Sequence, residues 1–298
     1  MKVAVVGTGR MGSAMARSFA RGGADLIVHN RTLDSARALA SELGARVVDT
    51  AAEAAAAADV AVSMLADGDA VRAMWDGPTG LAAGAHDGGV LVDSSTVPPD
   101  TLVAFEATVR QRGSGIVDAP VSGSTMLAEQ GQLTIMAGGS AADLDRARPA
   151  LDLVAKAVTH VGPLGSGAAL KLAVNALIFA LNNSVSEALV LAERAGLDRA
   201  LAYEVFASSA AGAPYVGYKR DAFVSPDASP VAFSLDLAAK DLRLIVQLAD
   251  RLGVPIPQSR VNQRIIGDAT ERLGRDRDMS SVAVHLRELI GRETTTPS

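Results

Sequence analysis

The feature that most constrains this chain is a glycine-rich hexapeptide directly behind a short apolar run. The run covers residues 3–6, and a helical pattern over residues 11–19 follows. The hexapeptide reads Gly7-Thr8-Gly9-Arg10-Met11-Gly12. A lone G-x-G-x-x-G is weak evidence, but strand, glycine turn and helix in this order are the context of the dinucleotide fingerprint. The alternative is an ordinary glycine-rich turn in an α/β protein.

Each glycine of the hexapeptide has a physical role in that interpretation. Gly7 allows a tight turn, Gly9 lets backbone amides approach a pyrophosphate, and Gly12 lets the helix pack closely on the strand. The helix N-terminus then faces the anion. The sequence therefore predicts a phosphate-binding turn at residues 7–12.

The end of the second apolar run indicates which dinucleotide binds. Residues 26–29 are typical of a buried strand, and Asn30-Arg31-Thr32 follows. An NAD site usually has an acidic residue here, whereas an arginine suits a 2′-phosphate. Residues 26–33 contain no Asp or Glu, so Arg31 favours NADP(H) over NAD(H). The alternative is that Arg31 is a solvated charge beside Thr32, which could cap a helix beginning near Leu33.

Composition excludes several classes of function. The 298 residues are 49% apolar and 20% charged, enough for two hydrophobic cores. The net charge is −5 and the five lysines are scattered, so we expect neither a nucleic-acid nor a membrane-surface partner. The chain has no cysteine, and its four histidines lack metal-ligand spacing, so we expect no metal. The first strand begins without an apolar leader, which favours a cytoplasmic enzyme.

Strand and helix patterns alternate through the first half of the chain. This rhythm predicts a mostly parallel, doubly wound sheet at residues 1–162. The expected helices include one opened by Pro98-Pro99 and running to Arg112. Beyond the turn at residues 162–165, no strand pattern is evident, and an all-helical domain is predicted for residues 163–298. It begins with one helix over residues 166–195, about 45 Å long, and ends in a frayed tail at residues 292–298.

Two polar side chains interrupt the first half of that long helix. Lys171 and Asn175 are four residues apart and therefore share a face. A helix that is apolar all round is normally buried, where an unpaired ammonium is expensive unless its surroundings or function compensate. The alternative is that Lys171 extends to solvent between the domains. A membrane span is not expected, because the apolar stretch is short and carries a charge.

Four ordered motifs together resemble the β-hydroxyacid dehydrogenases, a family that includes 3-hydroxyisobutyrate dehydrogenase and the glyoxylate and succinic semialdehyde reductases. They are the hexapeptide, Asp118-Ala119-Pro120-Val121-Ser122-Gly123, Gly167 with Lys171 and Asn175, and Lys240-Asp241-Leu242. The resemblance covers nearly the whole chain. It implies a Rossmann domain, a helical domain, an active site in the cleft between them, a small carboxylate substrate, and homodimers or homotetramers formed through the helical domains.

The resemblance also implies roles for individual residues. Ser122 and Gly123 would bind the substrate carboxylate, Lys171 would be the catalytic acid/base, and Asn175 would orient the substrate. The remaining residues would bind the cofactor: Asn30, Arg31 and Thr32 at the adenosine phosphate, Met64, Leu65 and Thr96 in the cofactor cleft, and Lys240, supported by Asp241, near the nicotinamide. Structural alternatives remain: a simple turn at Ser122-Gly123, a solvated Lys240-Asp241 pair, and a capping sequence at Thr96. Four aromatic residues could shape the pocket or belong to the core or a dimer contact: Phe206, Tyr215, Tyr218 and Phe233.

Departures from the family pattern bear on the substrate. Ser124 and Leu127 stand where the family often has glycines, and Val174 stands where an asparagine is frequent. The stretch Gly123-Ser124 with Ala128-Glu129 and Gly131-Gln132-Leu133 resembles the glyoxylate and succinic semialdehyde reductase branch. An NADPH-dependent imine reductase and a non-catalytic NADPH-binding module are the alternative functions. Lys171 argues against both, because such relatives typically lack this lysine.

As a carbonyl becomes an alkoxide, an ammonium stabilises the charge and donates the proton, whereas arginine hardly deprotonates.

Overall fold

The computed structural model describes residues 1–293 and divides into two compact units. The first is Met1–Lys171, and the second begins at Leu172. The division falls inside one long helix. Of the tail predicted to fray, residues 292–293 are helical, and residues 294–298 lie outside the described part of the chain.

Nine strands form one sheet in the first unit. They are β1 (Lys2–Val6), β2 (Asp25–His29), β3 (Arg46–Val47), β4 (Val60–Ser63), β5 (Val90–Asp93), β6 (Gly115–Asp118), β7 (Val121–Ser122), β8 (Leu133–Gly139) and β9 (Ala155–Gly162). Their spatial order is β3-β2-β1-β4-β5-β6-β8-β7, with β9 also beside β8. All pairs from β3 to β6 are parallel, whereas β8 is antiparallel to both β6 and β7. The predicted mostly parallel sheet is confirmed.

Both faces of this sheet are covered, which explains why its strands are apolar without alternation. In β1, Val3 and Val5 belong to one hydrophobic core, and Ala4 and Val6 belong to the other. Successive side chains of a strand point to opposite faces, so each face needs its own layer of helices. Trp75, fully buried, is the largest side chain in the second of these cores.

Eight helices accompany the sheet in the first unit. They are α1 (Arg10–Arg21), α2 (Leu33–Leu43), α3 (Ala51–Ala56), α4 (Gly68–Trp75), α5 (Asp100–Val103), α6 (Glu106–Gln111), α7 (Thr125–Glu129) and α8 (Ala141–Leu151). Several begin at a polar residue whose side chain accepts a backbone N–H of the first turn: Thr50, Asp67, Ser124 and Ser140. Such caps satisfy donors that have no partner within the helix.

The described part of the chain beyond Gly162 is helical, apart from one isolated bridge between Ser234 and Asp278. Its helices are α9 (Ser166–Arg194), α10 (Arg199–Ser208), α11 (Pro214–Tyr218), α12 (Arg220–Val224), α13 (Leu235–Leu252), α14 (Pro257–Leu273) and α15 (Val282–Glu293). The predicted all-helical second domain is confirmed. The second unit has its own core, which includes Phe179, Tyr203, Leu242 and Ile266.

One predicted helix is wrong in its continuity. The stretch opened by Pro98-Pro99 forms two helices, α5 and α6, instead of one. The break is a turn in which the Phe105 amide donates to the Leu102 carbonyl. The Phe105 ring packs against Trp75 with ring centroids 5.6 Å apart, so the side chain of the turn contacts the hydrophobic core.

The helix α9 is not buried all round, unlike most helices that are apolar on every face. Leu177 and Leu191 are 68% and 72% exposed. The helix has 29 residues and a window of mean hydropathy 1.4, so by length and composition it could cross a membrane, and the argument from shortness fails. However, Asn182 and Ser186 are fully buried, and Asn182 accepts a hydrogen bond from the Tyr215 hydroxyl. These contacts favour a core helix.

Candidate functional site

The glycine turn between β1 and α1 has the backbone that only glycine adopts easily. Gly7 has a φ of +100°, and a Cβ there would collide with the Met64 carbonyl. A Cβ on Gly12 would collide with the Gly7 carbonyl, so α1 packs directly on the turn. At Gly9, by contrast, a Cβ would meet no atom within 4 Å. The turn is closed on the protein side and open at its middle glycine.

This turn fits the pyrophosphate of a dinucleotide. Gly9 begins α1 without any side-chain cap, and the first turn of α1 has no acidic residue, so its amides have no competing anion. The hydroxyl Oγ1 of Thr8 is buried and has no hydrogen-bond partner in the protein. A buried polar atom without a partner is unusual and is typical of a ligand or water site. Arg10, in the first turn, is exposed beside these groups.

Of the residues after β2, Asn30 is hydrogen-bonded within the protein and Arg31 is an exposed cation. The Asn30 side chain accepts the Thr8 amide at 3.1 Å and donates to the Thr32 carbonyl at 3.0 Å, so it connects the glycine turn to the start of α2. Arg31 is exposed. Thr32 occupies the cap position of α2, but its side chain makes no cap hydrogen bond. Its hydroxyl is therefore not committed to the helix, contrary to the capping alternative.

The segments after β4 and β5 are joined through a buried carboxyl group that the sequence analysis missed. Asp93 is 1% exposed and accepts hydrogen bonds from Ser63 Oγ at 2.6 Å and Ser95 Oγ at 2.8 Å. Ser95 Oγ in turn accepts the Leu65 amide at 2.8 Å, and Met64 and Leu65 are half-buried. Asp93 therefore holds, through Ser95, the backbone of Leu65, which was predicted to line the cofactor cleft with Met64.

Burial raises the pKa of Asp93 to about 6, although the two serine hydroxyls oppose the shift. Its second oxygen, Oδ2, has no hydrogen-bond partner in the protein. The signal available in the sequence was the run Asp93-Ser94-Ser95-Thr96 directly after an apolar strand. In a parallel sheet, ligands bind at the carboxyl ends of strands, so polar residues there have functional interest. Thr96 itself is half-buried.

The motif that contains Ser122 and Gly123 forms a strand end and not a simple turn. Ser122 pairs with Thr134 of β8, and Gly123 has a φ of +141°. The departure at position 124 has a structural role, since Ser124 Oγ caps α7 by accepting the Leu127 amide at 3.3 Å. Ser122 and Gly123 are half-buried, so a small anion could reach them.

Asp118, which opens that motif, is bonded to the first turn of α9. Its carboxylate accepts the amides of Gly165 and Ala168, each at 2.7 Å. Lys171 is half-buried and lies about one turn beyond Ala168 on the same helix. Within the first unit, the segment of Ser122 and the helix of Lys171 are therefore held together at Asp118.

In the second unit, Asn175 belongs to a buried polar cluster. Its amide donates to Asp241 Oδ2 at 2.7 Å, and Asp241 is 1% exposed. The Lys240 ammonium lies 2.8 Å from Asp241 Oδ1, although the geometry is that of an ion contact and not of an aligned hydrogen bond. Because Lys240 is also largely shielded from solvent, the pair is not the solvated surface pair considered as an alternative.

The aromatic side chains of the second unit act mainly in its core. Tyr215 is buried and its hydroxyl is satisfied by Asn182, while Tyr218 packs edge-on against it at 5.5 Å. Phe233 lies 6.2 Å from Phe179, and Phe206 is half-buried beside Tyr203. These contacts agree with the core alternative for Phe206, Tyr215 and Phe233, whereas Tyr218 is 44% exposed.

No group of three or more His, Cys, Asp or Glu residues in the described part of the chain could hold a metal ion. The first unit offers a glycine turn that fits a dinucleotide, a half-buried serine and glycine at a strand end, and the ammonium group of Lys171. This set suits the transfer of a hydride and a proton to a small carbonyl acid.

Comparison with known proteins agrees with this chemistry. Residues 2–162 match the family described as the NAD binding domain of 6-phosphogluconate dehydrogenase, and residues 165–286 match the NAD-binding domain of NADP-dependent 3-hydroxyisobutyrate dehydrogenase. The chain is 31% identical to 2-(hydroxymethyl)glutarate dehydrogenase of Eubacterium barkeri, over 98% of this chain and 96% of that protein. It is 31% identical to glyoxylate/succinic semialdehyde reductase 2 of Arabidopsis thaliana, over 98% of this chain and 81% of that protein.

A solved structure gives the same result. The crystal structure of 3-hydroxyisobutyrate dehydrogenase from Salmonella typhimurium has a TM-score of 0.86 and 28% identity, covering 96% of this chain and 99% of that one. The chain therefore belongs to the 3-hydroxyisobutyrate dehydrogenase-like β-hydroxyacid dehydrogenases, and it is an oxidoreductase with a nicotinamide-dinucleotide-binding Rossmann domain.

Proposed function

We propose that the protein is an NADP(H)-dependent oxidoreductase that interconverts short semialdehydes and the corresponding hydroxyacids, with Lys171 as general acid/base. The observation that carries this proposal is the placement of Lys171. It is half-buried, near the start of a helix that Asp118 bonds to the segment of Ser122. A lysine held in this way can exchange a proton with the reacting oxygen.

The residues of the chain divide the chemistry among them. When bound, NADPH would supply the hydride to the carbonyl carbon. Ser122 and the Gly123 backbone bind the substrate carboxylate, and Lys171 donates its proton to the oxygen as the carbonyl becomes an alcohol. In the oxidation direction, neutral Lys171 accepts the proton of the hydroxyl group. Asn175, held by Asp241, orients the substrate.

The preference for the phosphorylated cofactor rests on the end of β2. Arg31 is exposed there, the Thr32 hydroxyl makes no cap hydrogen bond, and residues 26–33 contain no carboxylate. A carboxylate would accept from the ribose hydroxyl of NAD, whereas a guanidinium binds a phosphate. The match of residues 165–286 to an NADP-dependent family supports the same choice.

The substrate is a short aldehyde or keto acid with a carboxylate. Two relatives support this choice: one is a dehydrogenase of 2-(hydroxymethyl)glutarate, and the other is a reductase of glyoxylate and succinic semialdehyde. Initial rates with glyoxylate, succinic semialdehyde, methylmalonate semialdehyde, tartronate semialdehyde and a cyclic imine, each with NADPH and NADH, test this proposal. Faster turnover of the imine than of every aldehyde would favour the imine reductase alternative.

Substitutions of Lys171 test its role. We expect Lys171→Ala and Lys171→Arg each to lower kcat by about 10²-fold or more, the scale for loss of an acid/base. NADPH affinity, measured by fluorescence titration, should remain unchanged. Near-normal turnover in both variants would remove Lys171 from the mechanism, and loss of NADPH binding would point to a structural role.

We also propose that a second copy of the chain covers the exposed face of α9. Leu177, Ser184 and Leu191 are spaced by seven residues and therefore lie on one side of the helix, and all three are exposed. Exposed apolar side chains in such a row are typical of a helix–helix interface. No nucleic-acid or membrane partner is part of this proposal.

A further inference from the structure

Asp118 is a buried carboxylate that accepts hydrogen bonds from backbone amides far along the chain. It ends β6 and is 2% exposed. Its Oδ1 accepts the Gly165 amide and its Oδ2 accepts the Ala168 amide, which are 47 and 50 residues away. Gly165 directly precedes α9 and Ala168 lies in its first turn, where helix amides have no partner within the helix. The carboxylate therefore caps α9 from another element.

The space around this carboxylate has no room for other side chains. A Cβ on Gly138 of β8 would collide with Asp118 Oδ1, and a Cβ on Gly167 of α9 would meet Oδ2 at 2.9 Å. Burial raises the pKa of Asp118 to about 6, and the amides of Ala168 and Gly165 oppose that shift. At neutral pH the group is thus largely ionised, and both of its oxygens act as acceptors.

The two sides that Asp118 joins carry the chemistry of the proposed function. On one side, the chain continues from Asp118 to Ser122 and Gly123 within five residues. On the other, Lys171 follows Ala168 by three residues on the same helix, which is less than one turn. A rigid helix transmits the position of its first turn to the next, so the cap sets where the Lys171 backbone lies.

We propose that Asp118 is a positioning residue, which holds the Lys171 ammonium at the place that proton transfer to the bound carbonyl acid requires. This inference rests on the proposed function. A carboxylate suits the task because both oxygens accept, whereas the amide of an asparagine would turn an N–H donor toward one helix amide. A misplacement of about 1 Å at a reacting group can lower a rate by about 10²-fold.

The test compares Asp118→Asn with a matched control, Asp143→Asn. Asp143 is also 2% exposed, lies in the same unit on α8, and is held by Arg110 and Arg146. With the best aldehyde of the panel, we expect Asp118→Asn to lower kcat by about 10²-fold while NADPH affinity stays unchanged. The deuterium isotope effect with NADPH labelled at the transferred hydrogen should rise, because the chemical step becomes limiting. Asp143→Asn should lower the melting temperature and keep kcat.

Hydrogen exchange provides a readout that does not depend on turnover. In Asp118→Asn, a peptide covering residues 163–172 should exchange faster than in the wild type, while peptides from β1 and α13 should not change. Unchanged exchange in residues 163–172 would overturn the positioning role, even if activity fell. If Asp118→Asn does not fold, the second variant is Asp118→Ala, which removes both acceptors and adds no atoms to this crowded space, and it should lower kcat at least as far.

Two further outcomes decide the matter. Wild-type kcat in the folded Asp118 variant, or an equal fall of kcat in Asp143→Asn, would overturn the inference. The proposed function fails separately, if the wild-type enzyme turns over no aldehyde of the panel or if Lys171→Ala is fully active.

Discussion

Arg31 is the side chain on which cofactor choice depends. It is exposed at the end of β2, and a guanidinium gains charge-assisted hydrogen bonds from a phosphate that NADH lacks. We expect Arg31→Ala to weaken NADPH binding by about 10-fold, since a hydrogen bond to a charged group contributes about 1.5–3 kcal/mol. NADH binding should change little. Fluorescence titration with NADPH and with NADH measures the ratio of the two affinities.

The control for this prediction is Arg112→Ala. Arg112 is also exposed, but it precedes β6 and so lies at the amino edge of the sheet, away from the strand ends where dinucleotides bind. Its loss should leave both affinities unchanged. If Arg31→Ala kept the wild-type ratio of the two affinities, the arginine would be a solvated surface charge.

At the scale of single residues, the sequence predicted the groups whose signal is local. Gly7 and Gly12 were identified from spacing, and the structure shows the close backbone contacts that exclude side chains there. Asp93 and Asp118 were not given roles, because their burial and partners depend on pairing between segments far apart in the chain. The roles of Lys171 and Asn175 in catalysis remain predictions.

At the scale of elements, the carboxyl edge of the sheet collects buried polar groups in one row. Ser63 of β4, Asp93 of β5 and Asp118 of β6 are in register on neighbouring strands. Residues opposite each other on adjacent strands point to the same face, so the two carboxyl groups are close, and Asp118 raises the pKa of Asp93 further beyond the effect of burial. Burial is the largest cause of the rise in the pKa of both acids to about 6.

These shifts predict a dependence of stability on pH. The pKa of Asp93 is about 6 in the folded protein against 3.8 ordinarily, so the folded state binds protons more tightly. Its contribution to the free energy of unfolding is fully present below about pH 4 and is lost as the pH rises through 6, by at most about 3 kcal/mol. We expect the melting temperature of the wild type, relative to Asp93→Asn, to fall between pH 4.5 and 7.5.

Asp143→Asn is the control of opposite sign. Burial alone would raise the pKa of Asp143, but hydrogen bonds from Arg110, Ser140 and Arg146 hold it below its ordinary value. That contribution is present above about pH 4 and is lost as the pH falls. The melting temperature of the wild type, relative to that of Asp143→Asn, should therefore rise as the pH increases from 3. For the first prediction, a difference in melting temperature between the wild type and Asp93→Asn that did not vary with pH would show that the pKa of Asp93 is not raised.

The elements that the sequence predicted best are those with long or strongly patterned signals. The helix expected over residues 166–195 is α9, Ser166–Arg194. β9 was not predicted, because it pairs with β8 through irregular register and its side chains are mostly exposed or half-buried. The short helices α11 and α12 carry too few turns to show a period.

At the scale of the whole molecule, the face of α9 that carries Leu177 and Leu191 is exposed to solvent in the single chain. The sequence could not distinguish it from a buried face, since burial in a core and burial against a second chain select the same residues. The proposed second copy would cover Leu177 and Leu191, which are each at least two-thirds exposed. Removing two such side chains from water contributes about 1.5–3 kcal/mol each, enough to shift an association equilibrium strongly.

A charge placed in that row should separate the copies. We expect the wild type to sediment as a dimer or tetramer at micromolar concentration, and Leu177→Glu to sediment as a smaller species, because a buried glutamate without a partner is costly. Leu252→Glu is the matched control, since Leu252 is 65% exposed at the end of α13 and outside the row. It should keep the wild-type mass. A monomeric wild type, or a Leu177→Glu variant of unchanged mass, would show that the second copy does not bind at this face. Equal loss of mass in both variants would instead mean that the interface extends to the end of α13, and the face of α9 would then be only part of it.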